Sequence, residues 1–426
     1  MADRTLIRRA ASTSGDSVTL CQAAASYQAT LPVRLAQAGM LRRVLRFGPN
    51  LQVLEPDETG GLKLVKSSSL YNLSNQILWS AWGLLPSQGR PQLPMVATTW
   101  LASRLAAKWV MPGGIFHGLP GLALPGFQFA RANGCKTLIE NATLHPRHWQ
   151  REVLHECAQF GVSSGACSAI LPPPLIRRME REYELCDTII VPSTIARRSF
   201  EEFGLADKAQ VVCPGVDHQF FSPPAEPVIS PVFRACFLGR IELSKGITYL
   251  LQAWNLLALP TAQLVLAGPI QPDIKPFLKR YAGSTVTFTG PLSPREVVNQ
   301  YHNANVFIHP SPNEGLGLVL LEAMACGLPV IATDRSGAEN CVTHGKDGLI
   351  IPARSTNQLA EAIWWCFRHR QELPAMGKVG RQKVEQRFTR AHYEERQIEI
   401  YRSLANQPLA QGSRAEPANS GRRVGT

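Results

Sequence analysis

The chain has 426 residues, 45% hydrophobic and 18% charged, enough for two packed domains of roughly 100–200 residues each, and it reads as a globular protein of enzyme size. A formal net charge of +12 invites anionic partners, but no zinc finger, aromatic RNA-binding box or basic helix accompanies it, so nucleic acid is excluded as the expected partner. Ten cysteines stand singly without a C-x-x-C pair, so reduced, cytosolic thiols are expected, and neither a metal site nor a cofactor. Cys236, Cys326 and Cys341 lie in apolar surroundings and read as small core residues.

In chain order, the opening MADRTLIRRAASTSGD lacks the apolar core of a signal peptide or anchor. Ser17 to Leu20 is expected as a first strand and Leu31 to Ala38 as a helix stopped by Gly39. Seven arginines face only Asp3 and Asp16 before residue 51, which reads as a solvated face ahead of a membrane contact. Between Leu70 and Val110, Trp and Leu are frequent, with Arg104 and Lys108 interleaved. Such a stretch can lie at an anionic membrane surface, but Pro86, Pro91 and Pro94 break it into pieces that more commonly pack as core helices. Trp109 to Ala130 is uncharged, yet Pro112, Pro120 and Pro125 argue against a spanning helix.

From Gly114 an α/β rhythm sets in. A strand ends at His117, a helix runs to about Asn133, and Lys136 to Ile139 form the next strand. His145 and His148 follow in the loop after that strand, where open α/β sheets bind their ligands, whereas His155 reads as a helix-surface residue. Thr188 to Val191 and Gln210 to Cys213 are strands around a helix capped by Ser193 and ended by Gly204. Ser222 to Pro231 has the proline-rich composition of a linker.

The second half begins with strand Ala235 to Leu238, a tight turn at Gly239, and a helix starting near Lys245 and Gly246. Arg240 and Lys245 therefore leave one crevice beside a helix start, where two cations could hold a diphosphate; equally, they could be two surface cations. Strands Leu264 to Ala267, Val286 to Phe288 and Val306 to Ile308 alternate with helices, so a parallel sheet is expected. Then comes HPSPNEGLGLVLLEAMACGLPVIAT, His309 to Thr333: a loop, a helix from Leu318 to Ala325 and a strand from Val330 to Thr333. Gly315 and Gly317 would let backbone approach a ligand, and the helix start would favour phosphate. Glu322 is aimed back toward that helix mouth, where a carboxylate can accept both hydrogen bonds of a ribose diol. The alternative is that Glu322 is a solvated helix residue and Glu314 a loop charge.

The spacing of Glu314 and Glu322 within EGLGLVLLEAMACGLPVIAT resembles the E-x7-E signature of family-four retaining glycosyltransferases, the glycosyl transferases group 1. The likeness extends from about Glu182 to about Leu404, and FLGR followed by Lys245-Gly246 resembles that family's diphosphate-binding motif. It implies an α/β protein with two Rossmann-like domains facing across a cleft (GT-B). The expected domains are residues 1–225 and 226–387, with 388–406 packing back on the first and 407–426 a disordered tail. It also implies a metal-independent transfer of sugar from a nucleotide-diphosphate donor to a glycan, lipid-linked or small-molecule acceptor. By resemblance, Arg240 and Lys245 neutralise the departing diphosphate and Glu314 binds the donor sugar. Gly239, Leu292, Gly315, Gly317, Leu318 and Glu322 bind the nucleotide sugar, and His145 faces the donor, with His117 as the alternative. Relatives carry a glycine pair after the first strand, where this chain has Ala23, Ala24 and Ala25. A sugar phosphorylase, an epimerase or a non-catalytic nucleotide-sugar-binding protein would use the same crevice. The expected location is cytoplasmic, with a peripheral contact on an anionic inner membrane face as a further expectation.

Overall fold

The computed structural model describes residues 17–23, 30–47, 51–59, 61–68, 100–101, 103–226 and 230–408. Expectations for Ala24, Ala25, most of Leu70 to Val110 and the tail beyond Pro408 lie outside the described residues.

The described strands form two sheets. The first contains β1 (Val18–Ala23), β2 (Leu41–Phe47), β3 (Leu51–Pro56), β4 (Leu62–Ser68), β5 (Ile115–Gly118), β6 (Lys136–Glu140), β7 (Thr188–Val191) and β8 (Ala209–Val211), in the order β4-β3-β2-β1-β5-β6-β7-β8. Only β2-β3 and β3-β4 pair antiparallel, a meander that the alternation of residues 41–68 had not suggested. The second contains β9 (Phe233–Leu238), β10 (Ala262–Ala267), β11 (Val286–Gly290), β12 (Val306–His309), β13 (Val330–Thr333) and β14 (Gly348–Ile351), all parallel, in the order β11-β10-β9-β12-β13-β14.

β9, β12 and β13 are almost continuously apolar because both their faces are covered. Ala235, Phe237, Leu264 and Ile308 face the helices Ile247–Leu257 and Thr356–Arg368, while Cys236, Val265 and Phe307 face the helix Leu318–Ala325. The strand order reverses between β9 and β12, and ligands of open α/β sheets bind at such a point, beyond the strands' carboxyl ends. All ten cysteines are free and buried, as expected of core thiols. Among the described residues no helix is long and apolar enough to cross a membrane.

The helix Arg390–Ala405 returns to the first domain, where Tyr393, Ile398, Tyr401 and Leu404 join the core beneath β1, β5 and β6. Its entry is pinned where Val216 bridges to Thr389 and Arg390 meets Asp217 at 2.9 Å. Glu182, buried in the first domain, caps the helix Leu124–Ala132 by accepting from the amides of Gly121, Ala123 and Leu124. Burial pushes this carboxyl up to about 7, and those amides hold it from rising further.

The domains touch through a polar clasp. Glu156, on the first-domain helix Pro146–Gln159, receives Arg354 Nε at 2.5 Å and the Tyr249 hydroxyl at 3.0 Å. Glu152 on the same helix receives Arg354 Nη2 at 2.7 Å and Arg335 Nη1 at 3.3 Å. Arg354 adopts φ 62°, a left-handed conformation that costs a non-glycine residue free energy, and its two carboxylate contacts offset that cost.

Gly246 links β9 to the following helix with φ 73°, and a Cβ there would lie 2.0 Å from the Pro310 carbonyl oxygen. Gly246→Ala should therefore destabilise the protein by more than about 1 kcal/mol, because strain adds to the clash. Gly283→Ala, where a Cβ meets open space, should be close to neutral in the same urea titration.

Candidate active site

Two neighbouring parallel strands, β9 and β10, end in glycine beside the reversal point. Gly239 follows β9 with φ 143° and Gly268 follows β10 with φ 136°; a Cβ on Gly268 would sit 1.9 Å from the Gly239 carbonyl oxygen. This close approach leaves a slot above the sheet, and a cavity of about 290 Å³ opens there. Gly239, Arg240, Gly268, Leu292, Val319 and Glu322 line it. Arg240 is half exposed, so its guanidinium is available to a ligand. Glu322 reaches the same cavity from the helix Leu318–Ala325 and accepts from the Tyr301 hydroxyl at 3.1 Å. Burial pushes its carboxyl up to about 6, and the Tyr301 bond holds it below a higher value.

Beside this cavity lies a compact charged cluster. Lys245 Nζ donates to Glu314 Oε1 at 2.6 Å, and Glu314 Oε2 stands 3.0 Å from His309 Nε2 at the end of β12. Burial alone would raise the Glu314 carboxyl, but the Lys245 charge and the His309 contact outweigh it and hold the group well below the ordinary carboxylate range. Lys245 is thus a partner of Glu314 as well as a cation of the crevice. The two glycines do packing work here. A Cβ on Gly317 would lie 2.7 Å from His309 Nε2, and one on Gly315 would lie 2.8 Å from Thr143 Cα in the first domain. Gly317 also precedes the helix whose first residue is Leu318, leaving amides of that first turn without intrahelical partners.

The first domain closes on this cluster with its loop after β6, as the sequence suggests, but through Thr143 and not a histidine. The expectation for His145 is corrected by its surroundings. It is 1% exposed and caps the helix Pro146–Gln159, and its ring stacks on Phe203 at 3.8 Å with Phe200 and Tyr183 close by. Burial pulls this imidazole down to about 4. His117, the alternative, is sealed beneath the returning helix, with Nδ1 2.7 Å from the Tyr401 hydroxyl, and burial pulls it down to about 3. Neither ring reaches the cleft. His148 does: a second cavity of about 320 Å³ is lined by His148, Arg198 and Glu202 from the first domain and Asn313, Asp334 and Arg335 from the second. Asn313 is 4% exposed, and neither end of its carboxamide has a hydrogen-bond partner. A cavity of about 310 Å³ lined by Pro223, Pro329, Arg370 and Lys378 lies instead at the strands' amino ends and is set aside on that ground.

Residues 233–369 match the family model described as Glycosyl transferases group 1. The matched residues run from β9 to the end of the helix Thr356–Arg368 in the second domain. D-inositol 3-phosphate glycosyltransferase of Corynebacterium urealyticum is 31% identical over 258 residues, covering 55% of this chain and 61% of that one. The protein of the same name from Mycolicibacterium smegmatis is 27% identical, over 65% of this chain and 67% of its own. The matches thus span about two thirds of these relatives or less. Among solved structures, sucrose-phosphate synthase from Thermosynechococcus elongatus superposes with a TM-score of 0.64 at 20% identity, covering 91% of this chain and 98% of that one. Anabaena HepE, solved with UDP-glucose, superposes with a TM-score of 0.59 at 16% identity, over 90% and 99% of the two chains. These likenesses establish the fold: two α/β domains in the GT-B arrangement.

Within residues 233–369, Arg240, Glu322, Gly239 and Leu292 meet in one cavity, and Lys245 and Glu314 form a second contact. Sequence reasoning passed over His309, Asn313 and Glu242. His309 and Asn313 stand within the motif itself, and the polarity of His309 at the end of the apolar run Val306 to Ile308 was the available signal.

Removing the Lys245 charge tests the cluster. The Glu314 value is depressed in the folded protein, so the pair contributes stability above the unfolded value of about 4.3 and loses it as pH falls through the folded one. Lys245→Met should be less stable than wild type at neutral pH by on the order of 3 kcal/mol. That gap should narrow as the denaturation series moves into acid; a gap independent of pH would contradict the pairing.

Proposed function

We propose that the protein is a retaining glycosyltransferase that moves a sugar from a nucleotide-diphosphate donor to a hydroxyl-bearing acceptor held between the domains. The observation that carries this reading is the meeting of Arg240 and Glu322 in one cavity at the sheet's reversal point, with the Lys245–Glu314 pair beside it. The HepE structures were solved with UDP and with UDP-glucose, which supports a nucleotide-sugar donor here.

Breaking the anomeric bond builds positive charge on the sugar and negative charge on the departing diphosphate. Arg240 offers a planar fork to the diphosphate, Lys245 a point charge, and the first amides of the helix Leu318–Ala325 further donors. These built-in cations do the work of a divalent ion, so none is required. Glu322, ionised, accepts from the ribose diol. Glu314, held ionised by Lys245, accepts from donor-sugar hydroxyls. The second cavity mixes donors and acceptors and includes the unpartnered Asn313 carboxamide, a lining that suits a hydroxyl-rich acceptor. Retention follows if the acceptor attacks from the leaving-group face and a phosphate oxygen takes its proton.

The experiment is acceptor-dependent release of nucleoside diphosphate. Arg240→Ala should lower turnover at saturating donor a hundredfold or more, the ~2.7–4 kcal/mol typical of one lost transition-state donor. Its melting temperature should fall somewhat, because the substitution also takes a charged donor from the buried Glu242 carboxylate, so turnover is read well below the transition. Near-wild-type turnover would remove Arg240 from the diphosphate. Calorimetry supplies a second check. Only the ionised Glu322 carboxylate offers both oxygens as acceptors to the two diol hydroxyls, so nucleotide affinity should fall as pH drops below about 6. In Glu322→Gln the carboxyl's share of that fall should be lost, leaving the shallower dependence that comes from ionisation of the diphosphate itself.

A further inference from the structure

Glu242 is wholly buried two residues beyond Arg240. Its Oε1 accepts from Arg240 Nη2 at 3.0 Å and from Ser244 Oγ at 2.7 Å, and its Oε2 accepts from Ser168 Oγ at 3.3 Å. Arg240 and Ser244 belong to the second domain, Ser168 to the first. The loop carrying Ser168 presses on the same turn, where Cys167 and Ala169 pack against Leu243. A carboxylate without water is costly unless ordered donors surround it. Here those donors come from both domains and from the cation that faces the cavity.

We propose that Glu242 is a positioning residue that fixes the Arg240 guanidinium in the cavity and makes its placement depend on domain contact through Ser168. The inference rests on the glycosyltransferase reading, which gives Arg240 its role. One Arg240 N–H group is committed to Glu242, and the guanidinium keeps its other donors for an anion. With the domains together, Ser168 and Ser244 leave the carboxylate a single orientation. If the domains part, Oε2 loses Ser168, the carboxylate can turn, and the arginine is no longer held over the cavity. Closure and cation placement would then be one event.

The test is a double-mutant cycle on the full chain, read as the dissociation constant of whichever of UDP, GDP and ADP wild type binds most tightly. E242Q keeps the shape and removes the charge, and should weaken binding about tenfold. In an R240A background the same substitution should change nothing. Equal weakening in both backgrounds would mean Glu242 acts on the fold and not through Arg240, and would overturn the proposal. So would full affinity in E242Q. Ser168 is exposed, so S168A keeps the cycle available if E242Q folds poorly; it should weaken binding in wild type and not in R240A, and equal effects in both overturn the link. If none of the three diphosphates binds wild type, the glycosyltransferase reading itself fails.

Discussion

The contact between Lys245 and Glu314 joins the two loops from which the site is built. One leaves β9 and the other leaves β12, neighbouring strands at the point where the sheet order reverses. Their backbones are pressed so closely that Gly246 has no room for a side chain beneath Pro310. A bare carboxylate in that position would be costly, and the ammonium and His309 together make the charged form the stable one. Positions of Arg240, the glycine slot and the helix bearing Glu322 all follow from how these loops are held.

The same loops form the face that the first domain meets. Gly315 abuts Thr143 and its carbonyl accepts from Ser193, while the Asn340 carboxamide receives both the amide and hydroxyl of Thr194. The clasp of Glu152 and Glu156 with Arg335, Arg354 and Tyr249 closes the opposite part of the interface. The interface also has an apolar part: Phe160 of the first domain meets Tyr249 and Phe277 of the second, and Leu243 packs against Val153, Cys157, Cys167 and Ala169. Parting the domains would expose that apolar patch, so the closed arrangement is held by burial as well as by the polar contacts.

The two pKa shifts at the crevice run in opposite directions for one reason. Glu314 has a cation within hydrogen-bond distance and Glu322 has only a phenol, so similar burial leaves the first firmly ionised and the second raised to about 6. Two carboxylates eight positions apart in one motif thus answer pH differently, and the difference could not be inferred from their spacing.

What the sequence by itself determined was local. The helix Leu318–Ala325 and the strand Val330–Thr333 fall where the apolar run and the stops at Gly327 and Pro329 put them, because period and punctuation act over a few residues. The residues of the E-x7-E and G-R…K-G spacings come together because each set lies on one strand-to-helix connection, after β12 and after β9. The strands β2, β3 and β4 form an antiparallel meander whose pairing is set between strands, and their sequence pattern did not disclose it. The tertiary structure alone decided which first-domain residue meets the site. Thr143 and His145 share one loop, but Phe203, far along the chain, supplies the ring on which His145 stacks, and it is buried there. Glu242 looked like any charge in a turn until Ser168, 74 positions away, was brought against it. Burial and charge pairing are properties of neighbours in space, and when those neighbours are remote in sequence no local pattern encodes them.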